Sequence, residues 1–116
     1  MNKVYITSAL RTAVGSLGKS LKAFKAEDLG SAVISKNVIK SGLKNNDVDE
    51  IIMGQVLTGG SGQNPARQAA MKSGIPKEKP AYVVNQVCGS GIRSIAAGLQ
   101  SNIAGDSKIL VAGGQE

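Results

Sequence analysis

Cys88 is the only thiol in the chain, and it stands in a run of small residues, NQVCGSG, from Asn85 to Gly91. A thiolate is a strong nucleophile, and a cysteine ionises most readily where positive potential favours the charged form. The residues before it, AYVVNQV (81–87), read as a strand, and an apolar helical pattern begins after it at Ile92. That places the sulfur at the positive end of a helix, where unpaired backbone N–H groups can also receive an oxyanion. Gly89, Ser90 and Gly91 carry little bulk, so a substrate can approach the sulfur closely. The layout is that of a nucleophile on a strand-to-helix turn. The competing reading is a small buried hydrophobe, the usual state of a free cysteine, and composition by itself favours it.

A helix end contributes about 0.3 to 2 kcal/mol, which favours the thiolate but supplies nothing to move protons during turnover. The chain has no histidine, so the commonest general base and metal ligand is missing. Lysine and arginine take that role only with unusual burial. These residues amount to half of an active site.

Two other motifs suggest phosphate chemistry. AVGSLGKS (13–20) fits a relaxed P-loop, with Ala13 in place of the first glycine and Lys19 and Ser20 as phosphate and Mg²⁺ contacts. A partner strand ending in aspartate should accompany it, but EIIMGQVL and KILVAGG have neutral ends, so a surface loop is the favoured reading. GSGIRS (89–94) nearly matches the dinucleotide fingerprint, with Ser94 at the third glycine. The acid of that motif belongs at the end of the next strand, and Asp106 comes before it.

The elements that must position Cys88 follow from periodicity. KVYITS (3–8), EIIMGQVL (50–57), AYVVNQV (81–87) and KILVAGG (108–114) read as strands. A long connection spans 9–26, of the kind that is usually functional or mobile. Glu27 and Asp28 open a helix with Leu29, Ala32, Val33, Ile39 and Leu43 on one face, and Ile34 and Val38 off that stripe. Lys40 and Gly42 close it. Asn64-Pro65 starts a short helix that Gly74 and Pro76 end. Ile92, Ile95, Ala96, Leu99 and Ile103 form the apolar stripe of the helix after the cysteine, which Gly105 and Asp106 end. Alternating strands and helices predict a parallel α/β sheet.

Bulk properties exclude several classes. With 116 residues the chain suits one domain or a piece of one, and 41% hydrophobic against 19% charged residues argues against disorder. The +6 net charge is spread over Lys19, Lys22, Lys25, Lys36, Lys40 and Lys44 as solvated positions. Two Tyr, one Phe and no Trp leave no stacking platform for nucleic acid. One cysteine forms no internal disulfide, the N-terminal residues lack the apolar core of a signal peptide, and no stretch is long enough to span a membrane. The expectation is a cytoplasmic protein without metal. A buried-looking strand runs almost to Glu116, as in a fragment.

VNQVCGSGIRSIAAG (84–98) resembles the segment around the acylated cysteine of the thiolase family, the acetyl-CoA acetyltransferases and 3-ketoacyl-CoA thiolases. RTAVGSLGK, GQNPARQAA (62–70) and VAGGQE at the end support the resemblance, which spans essentially the whole chain. It implies an α/β, thiolase-like fold whose βαβαβαβ layers form most of the N-terminal half of a duplicated domain. Residues 1–116 would be that half, incomplete, with the coenzyme A loop region and the C-terminal half beyond Glu116. It further implies that Cys88 takes an acyl group from acyl-CoA as a thioester, with its own backbone N–H toward the thioester oxygen. A second acyl-CoA would then condense with it, or the reverse reaction would cleave a 3-ketoacyl-CoA. Coenzyme A is the substrate carrier and no other cofactor is implied. The family's histidine and second cysteine have no position here, so the fragment alone should not turn over. Dimers or tetramers are implied for the full-length form.

Ala13 and Leu17 depart from the family's more frequent Pro and Phe, Asn102 takes an apolar position, and Gln115 is unusual in the terminal GGxE. These leave chain-length preference open. Ketosynthases share the fold, but the wording of Asn85 to Gly91 fits thiolases better. The remaining alternatives are a non-catalytic interaction module and a P-loop nucleotide binder.

Overall fold

The computed structural model describes residues 3–116. Strands β1 (Glu50–Gly54), β2 (Ala81–Val84) and β3 (Leu110–Gly114) form a parallel sheet in the order β2-β1-β3. Helix α1 (Ala26–Lys40) precedes them, α2 (Pro65–Lys72) connects β1 to β2, and α3 (Ser90–Ala104) connects β2 to β3. The α/β architecture expected from the alternation is therefore present.

Strand periodicity divides the core between the two faces of the sheet. Ile51 and Met53 on β1 join a buried cluster with Ile34 and Val38 of α1 and Ala66, Ala69 and Ala70 of α2. Ile52, also fully buried, alternates to the other face, where α3 lies. Asn64 caps α2 by accepting the Arg67 N–H at 3.1 Å, with Pro65 at the first helical position. Gly105, at φ 86°, closes α3 in the left-handed conformation.

Three expectations need correction. Residues 3–8 pair with no strand among the described residues, and the segment rests on α1 instead. Ser8 Oγ donates to Asn37 Oδ1 at 2.7 Å, and Thr7 Oγ1 lies 3.1 Å from Ser41 Oγ. Val4, Tyr5 and Ile6 are exposed. β-Branched residues favour a pleated, half-buried surface, and without a neighbouring ladder that preference has nothing to act on.

Helix α1 buries Gly30, Ile34 and Val38, the positions off the predicted stripe, while Ile39 is 68% exposed. The choice of face follows from its neighbour. A Cβ at Gly30 would overlap the Gln115 side-chain oxygen and stand 3.4 Å from Ala69 Cβ of α2, so a glycine fits on the face that packs against α2 and the exit of β3.

Helix α3 is reversed in the same way. Its buried positions are Ser90, Ser94 and Gly98, while Ile92, Ile95, Leu99 and Ile103 of the apolar stripe are exposed. The sheet-facing side of α3 is built for closeness rather than for apolar area. At Gly54 a Cβ would fall 2.7 Å from Gly91 N, and at Gly98 one would fall 2.6 Å from Leu110 Cδ1.

The 13–20 stretch is a chain of tight turns, with Lys19 N–H on Ser16 O and Lys22 N–H on Lys19 O, both at 3.1 Å. No strand precedes it among the described residues, and α1 begins only at Ala26. A phosphate-cradling loop needs both in place, so the P-loop reading fails on geometry. Asn102, the polar residue in an apolar position, donates to Lys108 O at 2.9 Å and ties the end of α3 to the approach of β3.

Asp49 sets β3 beside β1. Its carboxylate accepts the N–H groups of Lys108 at 2.9 Å and Ile109 at 3.0 Å, and its own N–H donates to Ile109 O at 2.8 Å. The backbone bonds from Ile109 and then Lys108 hold this carboxyl below its ordinary range. The bond from Lys72 does the same for Asp28, which also accepts the Lys25 N–H at the start of α1. Both groups bind a proton less readily folded than unfolded, so they stabilise the fold above the ordinary carboxylate range and lose that contribution as pH falls through their depressed values. Urea unfolding across pH should show stability dropping below about pH 4, with a smaller drop in Asp49→Ala. At neutral pH that variant should lose about 1 kcal/mol, a figure kept low because the carboxylate is partly exposed. Gly54→Ala should cost about 1–3 kcal/mol by forcing β1 and α3 apart, measured in the same experiment.

Candidate active site

The three strands end in register, with Gly54 opposite Val84 on one side and Gly114 on the other. The segments that follow them therefore emerge together along the carboxyl edge of the sheet, where open α/β sheets bind ligands. Gln55 N–H donates to Val84 O at 3.1 Å and Gln115 N–H donates to Gly54 O at 2.9 Å, so the three exits are tied at their first residue.

Cys88 comes four residues past the end of β2 and two before the first residue of α3. It is exposed, which sets aside the reading of a buried structural thiol. Val87 immediately before it has φ 52°, the left-handed region. A β-branched side chain there is held against its own preference at a cost of order 1–3 kcal/mol.

Local bonds hold that turn. Ser90 Oγ donates to Val87 O at 2.6 Å and accepts the Gln86 N–H at 2.8 Å. Gly89 N–H reaches Gln86 O at 3.1 Å, and Ser90 N–H reaches Val87 O at 3.0 Å. Asn85 Oδ1 accepts the Val87 N–H at 2.9 Å, while its Nδ2 donates to Val56 O at 3.2 Å in the segment after β1. One turn further on, the Ser94 hydroxyl shares its single proton between Gly91 O at 2.6 Å and Gly113 O at 2.7 Å, which pins α3 to β3.

Gly89 is the N-cap of the fifteen-residue α3, and its carbonyl accepts the Arg93 N–H at 2.9 Å. The thiol thus stands at the positive end of a full-length helix, as its sequence context predicts. A shallow cleft of about 370 Å³ opens beside the turn, lined by Thr58, Gly62, Asn64, Pro65, Val83 and Asn85. No group of three or more Cys, Asp or Glu residues that could hold a metal comes together among the described residues. None of the helices described is long and apolar enough to cross a membrane.

Sequence reasoning singled out Cys88, the candidate nucleophile, and the small residues after it. It missed Asn85 and Ser90 as the residues that fix the turn, because a polar residue at a strand end has no distinguishing pattern until its partner is known. Lys19 and Ser20, the phosphate candidates, lie on a segment well separated in sequence from these exits, and nothing in the site uses them.

Residues 4–116 match the thiolase N-terminal domain. The chain is 53% identical over its whole length to an acetyl-CoA acetyltransferase of Cupriavidus necator, of which it covers 30%. It is 51% identical over 113 residues, 97% of its length, to an acetyl-CoA acetyltransferase of Rhizobium meliloti, covering 29% of that protein. A probable acetyl-CoA acyltransferase of Staphylococcus aureus is 46% identical over the full 116 residues, again with 30% of its own length covered. The chain therefore spans about 30% of the length of these relatives. With the parallel sheet, the strand-to-helix cysteine and the family match in agreement, the chain belongs to the thiolase family.

Proposed function

We propose that Cys88 is the acyl-accepting nucleophile of an acyl-CoA acyltransferase of the acetyl-CoA acetyltransferase type. The observation that carries this reading is the exposed sulfur on a left-handed turn two residues ahead of α3. A thiolate there attacks the thioester carbonyl of an acyl-CoA. The new bond joins Sγ to the acyl carbon, the bond from that carbon to the coenzyme A sulfur breaks, and the proton released by Cys88 ends on the departing thiol. Negative charge on the carbonyl oxygen in between is met by backbone N–H groups at the start of α3. The Cys88 N–H makes no hydrogen bond among the described residues and is the nearest such donor in sequence.

Discharge of the acyl group needs a second acyl-CoA deprotonated at its α-carbon, or coenzyme A in the reverse direction, and a base for either. The chain has no histidine and one cysteine. The reading therefore places the proton-transfer groups and the coenzyme A loop region in the remainder of the longer form, which works in the cytoplasm as a dimer or tetramer. The exposed stripe of Ile92, Ile95, Leu99 and Ile103 supports an assembled state, because apolar surface of that kind favours association.

Incubation of the longer form, with its coenzyme A loop region, in acetyl-CoA, followed by acid quench and peptide mass analysis, should show one acetyl group, on Cys88, and none in Cys88→Ser. Acetylation of Cys88→Ser at the wild-type level would end the nucleophile assignment. Sustained thiolysis by the 116-residue chain that disappears in Cys88→Ser would refute the claim that its site is half complete.

A further inference from the structure

Among the described residues, the Glu116 carboxylate is the one charged side chain that bridges the carboxyl edge of the sheet between the exits of different strands. Its Oε2 accepts the Val56 N–H and its Oε1 accepts the Leu57 N–H, each at 2.8 Å. Two consecutive backbone donors on two oxygens of one carboxylate make a charge-assisted, bidentate contact, which fixes direction as well as distance. Glu116 follows β3, and Val56 and Leu57 follow β1.

The same segment is held from below. Gln55 Nε2 donates to Leu57 O at 3.0 Å, and Gln115 Nε2 donates to Gln55 Oε1 at 3.0 Å. A carbonyl only accepts, so Gln55 must present its NH₂ to Leu57 and its oxygen to Gln115, and the direction of the relay is determined. Because Glu116 holds the Leu57 N–H, the carbonyl of the same trans peptide, Val56 O, faces the opposite side, where it accepts from Asn85 Nδ2 at 3.2 Å. Asn85 then accepts the Val87 N–H at 2.9 Å, on the residue that pays conformational strain to present Cys88.

We propose that Glu116 is a positioning residue for the nucleophile turn, acting through Val56, Asn85 and Val87 on the placement of Cys88. The relay runs from the exit of β3 through that of β1 to that of β2. Its chemical consequence rests on the reading of Cys88 as the acylated residue, whereas the relay itself rests on the hydrogen bonds alone. Glu116→Gln tests it, because the amide keeps one acceptor and turns an NH₂ group against the second N–H.

Amide hydrogen exchange should accelerate roughly tenfold at Val56, Leu57 and Val87 together in Glu116→Gln, with Ala69 and Ala70 of α2 unchanged. Acceleration at Val56 and Leu57 alone would show that Glu116 holds only its own loop, and would overturn the proposal. In the longer form, which carries the coenzyme A loop region, acetylation of Cys88 by acetyl-CoA should slow roughly tenfold at saturation, with the half-saturating concentration unchanged, since the residue orients the nucleophile and does not touch the substrate. An unchanged saturating rate would also overturn it. If wild-type Cys88 is not acetylated at all, the acyltransferase reading fails and the exchange pattern still decides the relay. Should Glu116→Gln not fold, exchange in the wild type suffices. A common opening free energy for Val56, Leu57 and Val87 upholds the relay, and a Val87 amide exchanging as a free one refutes it.

Discussion

Backbone meets backbone where α3 begins. Gly54 at the end of β1 lies so close to Ser90 and Gly91 that a single added methyl group would overlap the first turn of the helix. Everything about the site depends on that contact. It seats the helix on the sheet at its amino end and brings the preceding turn, with Cys88, to the edge where the three strands finish. A larger residue at Gly54 would lift the helix end and carry the thiol away from the Asn85 and Ser90 bonds that shape its turn.

The closeness has a chemical requirement, which the inner face of α3 meets. Ser90 and Ser94 are buried polar groups, and both are satisfied by main-chain partners. Ser101 and Ser107 converge on one Glu50 oxygen at 2.7 and 2.8 Å near the far end of the helix, so the seam between α3 and the sheet is stitched by hydroxyls along its length. A small side chain that closes its own hydrogen bond adds little thickness, which an isoleucine in the same place could not do.

This explains what was legible in the sequence and what was not. Turn and cap chemistry was readable because it is local: Asn64-Pro65 before α2 and Gly105 after α3 both act as expected. Helix orientation was not, because apolar periodicity identifies a hydrophobic face without saying which layer it meets. Ile92 is 79% exposed on a helix whose serines are buried, and Ile39 is exposed on a helix whose glycine is buried. The segment 3–8 misleads for a related reason, since strand propensity is realised only beside a partner. In the site, Cys88, the candidate nucleophile, stood out as the only thiol among small residues. Asn85, Ser90 and Glu116 did not, since each acts across a distance in sequence or space that no local pattern encodes.

The bond from Glu116 to Val56 spans 60 positions in the chain, and this has a kinetic meaning. β1, α2 and β2 are near neighbours in sequence and can assemble early, whereas β3 docks on β1 only after a loop of that length has closed. Until then the cysteine turn has its local bonds but lacks the clamp on Val56 that orients Asn85. A newly made chain therefore carries its thiol before the turn around it is held from every side, and the arrival of the third strand closes that hold.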